Sequence, residues 1–109
     1  IKGLAHITGG GIAENLKRTL KKSGCGAKLT DLFAPHDALK DLIALGSVAT
    51  DEAYKTWNMG NGMLVIVEKT DADDTVVALQ AAGIEAKVAG SVTSENEVSV
   101  AAFDGSVLL

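Results

Sequence analysis

The chain has 109 residues, 47% of them hydrophobic and 22% charged, with a formal net charge of −4. That length suits one domain, and the composition excludes global disorder because enough apolar mass is present for a core. Lys17, Arg18, Lys21 and Lys22 form the one basic cluster, so the strong basic stripe of a nucleic-acid binder is missing, while a phosphorylated small molecule stays compatible with the acidic total.

Residues 4–8 read as a short apolar strand that runs into Gly9, Gly10 and Gly11, where a strand continues poorly. A helix follows. Ile12, Leu16 and Leu20 recur every four residues, Glu14 sits in the first turn, Lys21 and Lys22 sit in the last, and Gly24 or Gly26 can end it in a left-handed cap. Residues 27–32 alternate weakly and predict a strand. Pro35 suits the first turn of a second helix, with Leu39, Leu42, Ile43 and Leu45 on its apolar side and Gly46 at its end. Thr50 can cap a third helix over residues 51–56.

After a turn-rich break at residues 58–62, the unbroken apolar run 63–67 is the strongest strand signal and predicts burial on both faces, inside the sheet. Residues 71–82 read as an amphipathic helix packed on that sheet through Val76, Val77 and Leu79, closed by Gly83. Residues 84–89 predict a further strand. Strands joined by polar turns make up the tail, with Asp104–Gly105 as a two-residue hairpin signal. The order β-α-β-α-α-β-α-β-β-β breaks strict alternation at its end. The expected class is therefore α+β, a mixed sheet with helices layered on it.

Two motifs can carry chemistry. In His6-Ile7-Thr8-Gly9-Gly10-Gly11, three glycines stand between a strand and a helix N-terminus, so backbone N–H groups and the Thr8 hydroxyl can converge on a phosphate. The spacing matches neither the P-loop nor the dinucleotide fingerprint. The residues alone leave a tight steric turn equally open, and they leave His6 either facing a substrate or buried against backbone. In Asn58-Met59-Gly60-Asn61-Gly62-Met63, the asparagines can bond a polar ligand, although an ordinary turn is the simpler reading of those residue types. Asp71, Asp73 and Asp74 read as partners of a helix dipole, and no metal-ligand spacing is present. His36 reads as a solvated residue at a helix start. Cys25 has no neighbouring base and no partner for an intrachain disulfide, which suits a cytoplasmic setting. The apolar runs are far too short to span a bilayer, and no signal-peptide pattern opens the chain.

Ile1-Lys2-Gly3-Leu4-Ala5-His6-Ile7-Thr8-Gly9-Gly10-Gly11-Ile12-Ala13-Glu14-Asn15-Leu16 closely resembles the start of the C-terminal domain of aminoimidazole ribonucleotide synthetases, the phosphoribosylformylglycinamidine cyclo-ligases. Thr56-Trp57-Asn58-Met59-Gly60-Asn61-Gly62-Met63 resembles the second hallmark of that domain. The resemblance implies one domain over residues 1–109, cut from a larger two-domain enzyme whose N-terminal domain holds most ligands for ATP and Mg2+ and much of a homodimer contact. It implies conversion of formylglycinamidine ribonucleotide to aminoimidazole ribonucleotide with ATP cleavage, through a phosphorylated formyl oxygen and closure by an internal nitrogen. By position, it makes Thr8, Gly9, Gly10 and Gly11 a phosphate loop with Asn15 nearby, His6 a cleft residue with a catalytic role, and Asn58, Gly60 and Gly62 a second loop on the cleft. The fragment alone is expected to be inactive, and Gly10→Ala in the full enzyme to weaken phosphate binding. The family often has proline where Ala13, Lys17 and Lys21 stand, which leaves this helix more regular. The same architecture serves formylglycinamidine ribonucleotide synthetase, selenophosphate synthetase, thiamine monophosphate kinase and a hydrogenase maturation factor, mostly with Asp in place of His6. Those activities, and a non-catalytic binding or assembly module, are the alternatives.

Overall fold

A computed structural model describes residues 1–109. Its elements follow the predicted order: β1 (Gly3–His6), α1 (Gly11–Leu20), β2 (Gly26–Leu29), α2 (Asp37–Leu45), α3 (Thr50–Thr56), β3 (Met63–Ile66), α4 (Ala72–Ala81), β4 (Gly90–Thr93), β5 (Val98–Ala101) and β6 (Val107–Leu108). Short 3-10 turns follow α1 and precede α4. The class is α+β, as expected, but the strands divide into two sheets. β1 and β3 make an antiparallel ribbon, and the other four form a mixed sheet in the order β4-β2-β5-β6 with β2 and β5 parallel.

α1 is the central helix. Ile12, Leu16 and Leu20 lie one turn apart on one stripe and are all buried, and they share a single core with Ala5, Ile7, Ala27, Val98 and Val100. Gly24 takes a left-handed φ of 69° just past the 3-10 turn and ends the helical run, the role expected of a glycine there.

The 63–67 run departs from expectation. β3 pairs only with β1, in the register Leu4↔Val65 and His6↔Met63. One face of the ribbon puts Leu64 and Ile66 against the core, while Met63 and Leu4 on the other face are 52% and 55% exposed. A continuous apolar run reports hydrophobicity on both faces but not whether both are covered. α4 also departs, because none of its residues is buried and Val77 is 63% exposed, so it does not seal the core as predicted. Residues 84–89 form no strand. The Ala89 carbonyl accepts both the Thr30 and Asp31 N–H groups, and the ladder with β2 begins only at Gly90.

Smaller corrections concern helix starts. Pro35 lies outside α2, whose cap position is His36 in an extended conformation. Of the four residues on its predicted apolar side, only Ile43 is buried, and Leu42 and Leu45 are exposed. Thr50 is inside α3, not its cap; the cap position is Ala49. The Thr50 hydroxyl instead donates to Asp104 at 2.6 Å, joining α3 to the β5–β6 hairpin. That hairpin turns through three residues rather than two. Ala102 N–H bonds Ser106 O, Gly105 N–H bonds Ala102 O, and Gly105 has φ 89°, the geometry of a turn closed by a glycine bulge.

Hydroxyl donors from Ser106 and then Thr50 hold the Asp104 carboxyl at about 2, below its ordinary 3.8. A lowered folded-state value means that this anchoring is fully present above pH 3.8 and is lost as pH falls from there to about 2. Asp104→Asn is therefore expected to lower the melting temperature at neutral pH, with the deficit against wild type shrinking through that acid window. A deficit independent of pH would contradict the anchoring role. Tyr54 secures the same hairpin: its phenol, pushed up by burial, accepts the Phe103 N–H at 2.9 Å.

Candidate functional site

The two glycine motifs meet at one end of the β1–β3 ribbon. β1 delivers His6 opposite Met63, and one residue later the Ile7 N–H donates to the Gly62 carbonyl at 2.9 Å. Thr8, Gly9, Gly10 and Gly11 then turn into α1, while Asn58, Gly60 and Gly62 lead into β3. The fold thus brings the two motifs side by side. His6 is exposed, on the face opposite the buried Ala5 and Ile7, which removes the buried-histidine reading.

The glycines have different tasks. Gly10 and Gly11 have φ of 98° and 76°, and Gly60 has 89°, in the region that favours glycine. A Cβ on Gly11 would run into the Tyr54 carbonyl, so this glycine lets α1 approach α3. On Gly60 it would come within 2.9 Å of the Ala34 carbonyl, and on Gly10 it would meet the Glu14 carboxylate. Gly9 and Gly62 differ from these three. Neither has a left-handed φ, and a Cβ on either would meet nothing within 4 Å. The fold itself does not require glycine at those two positions.

Asn15 fastens the first loop from within α1. It is 5% exposed, and its side-chain N–H groups donate to the carbonyls of Gly11 at 2.7 Å, Thr8 at 3.2 Å and Gly9 at 3.4 Å. Its amide oxygen accepts the Thr8 hydroxyl at 3.4 Å. Asn15 therefore shapes the loop, and its donors are already engaged. Glu14 leans over Gly10 and pairs with Arg18 at 3.7 Å, so a carboxylate already complements this end of the helix dipole. The open approach for an anion lies over Gly9.

In the second loop, the exposed Asn58 accepts the Gly60 N–H at 3.0 Å through its side chain, an Asx turn. Met59 is fully buried with φ 51°, a left-handed residue pinned by its side chain in the core. Asn61 is 4% exposed and clamps a distant segment: it accepts the Phe33 N–H at 2.9 Å and donates to Phe33 O at 3.0 Å and to Met59 O at 3.1 Å. Nothing in the sequence points to Phe33 as its partner. Beside this loop lies a cleft of about 620 Å³ between residues 33–36, 60–64 and 84–89. His36 and Lys87, which the sequence reading did not select, line it together with Gly62. No three His, Cys, Asp or Glu side chains converge as metal ligands, and no helix is long and apolar enough to cross a membrane.

The molecule is thus an α+β domain whose two glycine loops join at one end of a ribbon. The model of the family described as AIR synthase related protein, C-terminal domain, matches residues 1–102, and the chain belongs to that family. Among similar curated proteins is the phosphoribosylformylglycinamidine cyclo-ligase of Myxococcus xanthus (strain DK1622), 42% identical over 105 residues, covering 95% of this chain and 30% of that protein. The enzymes of the same name from Magnetococcus marinus and Methanopyrus kandleri are 41% and 42% identical, covering 89% and 92% of this chain and 28% of each relative. The chain thus spans under a third of the length of these relatives.

Proposed function

We propose that this chain is the C-terminal domain of a two-domain, ATP-dependent cyclo-ligase that converts formylglycinamidine ribonucleotide to aminoimidazole ribonucleotide in purine synthesis. Its family membership and its similarity to cyclo-ligases along most of its length support the reading. ATP and Mg2+ are assigned mainly to an N-terminal domain, as the resemblance to the cyclo-ligases implies. The full protein would act in the cytoplasm as a homodimer, with this domain closing a cleft against the other.

Within that enzyme, the loop of Thr8, Gly9, Gly10 and Gly11 would hold a phosphate of substrate or nucleotide through the Gly9 and Gly10 N–H groups and the Thr8 hydroxyl, while the Gly11 N–H, which donates to the Thr8 carbonyl at 3.0 Å, closes the turn. Asn15 would fix the loop, and His6 would stand in the cleft at the junction with Asn58, Gly60 and Gly62. The observation that carries the site is the pair Gly9 and Gly62: two glycines on adjoining loops that neither backbone conformation nor packing demands. A ligand that must approach the backbone closely would explain them.

Their lack of structural need makes them sharper probes than Gly10, whose φ of 98° would strain any alanine there whether or not a ligand binds. In the full-length enzyme, Gly9→Ala and Gly62→Ala are expected to leave the melting temperature unchanged or slightly raised, since alanine at a compatible position lowers the entropy of the unfolded chain. At the same time, affinity for the phosphorylated ligand should fall about ten- to a hundredfold, the worth of one charge-assisted hydrogen bond. Unaltered kcat/KM and ligand affinity in both variants would remove the site from these loops.

A further inference from the structure

The cleft beside the second loop holds one lysine in an unusual position. Lys87 enters from the irregular 84–89 segment, sets its Nζ over the Phe33 ring at 4.9 Å from the ring centre, and reaches the Asp31 carboxylate at 3.1 Å. Its side chain is only 33% exposed, whereas that of Asp31 is 70% exposed. The backbones beneath the pair are tied together, because the Thr30 and Asp31 N–H groups both donate to Ala89 O. The ammonium can therefore change partner by side-chain rotation alone.

We propose that this cleft is an anion subsite for a small phosphorylated molecule, with Lys87 as its cation and Asp31 as a resident counter-ion that the ligand displaces. Its volume of about 620 Å³ lies within the range of small-molecule sites, roughly 300–1,000 Å³. Gly62 forms the facing wall with open space before it, so a ligand reaches backbone there unhindered. His36, at the start of α2, can add a second donor, and Glu85 is the acidic group on the same lining. Phe33 meets the Lys87 ammonium through a cation–π contact and is itself fixed by its backbone clamp to Asn61. The arrangement is a shielded positive charge with an exchangeable partner, which is what reversible anion capture requires.

The subsite stands apart from the Thr8–Gly11 loop, and the two are separable by orthophosphate titration of the full-length protein, followed by calorimetry and 31P NMR at low ionic strength. Lys87→Met keeps the apolar stem and removes the charge, and should weaken orthophosphate binding about tenfold. Asp31→Asn frees the ammonium and should tighten it severalfold. The opposite signs identify ligand capture, since a purely structural ion pair would respond alike to loss of either partner. Equal weakening by both variants, no effect of Lys87→Met, or no orthophosphate binding by the wild type would each overturn the proposal. Loss of binding in Gly9→Ala with Lys87→Met unaffected would overturn it too, while leaving the glycine loop standing. The reverse pattern would support the cleft and count against the loop. Melting temperatures of both variants confirm that the comparison is made on folded protein.

Discussion

Gly11→Ala is expected to lower stability by about 2–5 kcal/mol, more than a change at any other glycine of the two motifs. Two costs combine. Left-handed backbone at φ 76° penalises a Cβ by about 1–2 kcal/mol. The added carbon also collides with the Tyr54 carbonyl and comes within 3.0 Å of the Lys55 carbonyl carbon, both of them backbone atoms of α3 that cannot rotate aside. Relief requires α1 and α3 to separate, although Ile12 on one and Ala53 on the other are 0% exposed. Overpacking of that kind costs about 1–3 kcal/mol in a close-packed interior. Domains of this size are stable by only about 5–15 kcal/mol, so the melting temperature should fall by roughly 10 °C or more. Gly9→Ala, two positions away and in open space, is the control. A loss below about 1 kcal/mol for Gly11→Ala would show that α3 yields freely and that the close approach is not needed.

Asn61→Leu is expected to be nearly as damaging, at about 2–4 kcal/mol. Leucine fills a similar volume but gives up three hydrogen bonds, and the Phe33 N–H loses its 2.9 Å acceptor in a part-buried setting. An orphaned buried donor costs about 1–3 kcal/mol, more than the two carbonyls, which can accept elsewhere. Hydrogen exchange gives the specific readout. The Phe33 amide should lose protection while amides of the distant β5 strand keep theirs at matched stability. Retained protection at Phe33 would mean that the 33–36 segment is held by something other than Asn61.

These two residues also show where the sequence stops being informative. The order of the elements from β1 to α4 was legible because local signals mark it: the four-residue spacing of Ile12, Leu16 and Leu20, and the terminating glycines 24 and 83; beyond α4 the expected strand at 84–89 is replaced by β4 at Gly90–Thr93. The partners of those elements were not legible. Val76 and Val77 mark an apolar side of α4, but a pattern does not say what that side meets, and here no residue of the helix is buried. Residues 84–89 alternate as a strand does, yet a strand exists only where a neighbour offers an edge, and β2 offers its edge from Gly90 onward. Local pattern counts donors and faces; pairing depends on contacts far along the chain.

The site divides along the same line. Thr8 to Gly11 and Asn58 to Gly62 stand out in the sequence because glycines and asparagines collect there. Which glycine serves the turn, which the packing and which neither depends on Tyr54, Ala34 and Glu14, two of them distant in sequence. Asn15 reads as a neighbour of the phosphate loop, but its amide is committed to the carbonyls of that loop. Lys87 gave no signal at all, because its partners Asp31 and Phe33 lie on another strand connection.

The two sheets also govern how the chain finds its fold. Gly3 must wait for Ile66 before the ribbon can close, and Ala27 must wait for Val98. Only the β5–β6 hairpin joins strands adjacent in sequence. Loop-closure entropy is therefore spent before most of the pairing returns anything, which places the chain among slowly folding topologies of high contact order. During synthesis from the N-terminus, the ribbon can form once β3 has emerged, while β2 remains without a neighbour until β4 and β5 follow. The ribbon's buried face, with Ala5, still shares its core with Val98 and Val100, so the glycine loops it carries are expected to become fixed only when that sheet closes behind them.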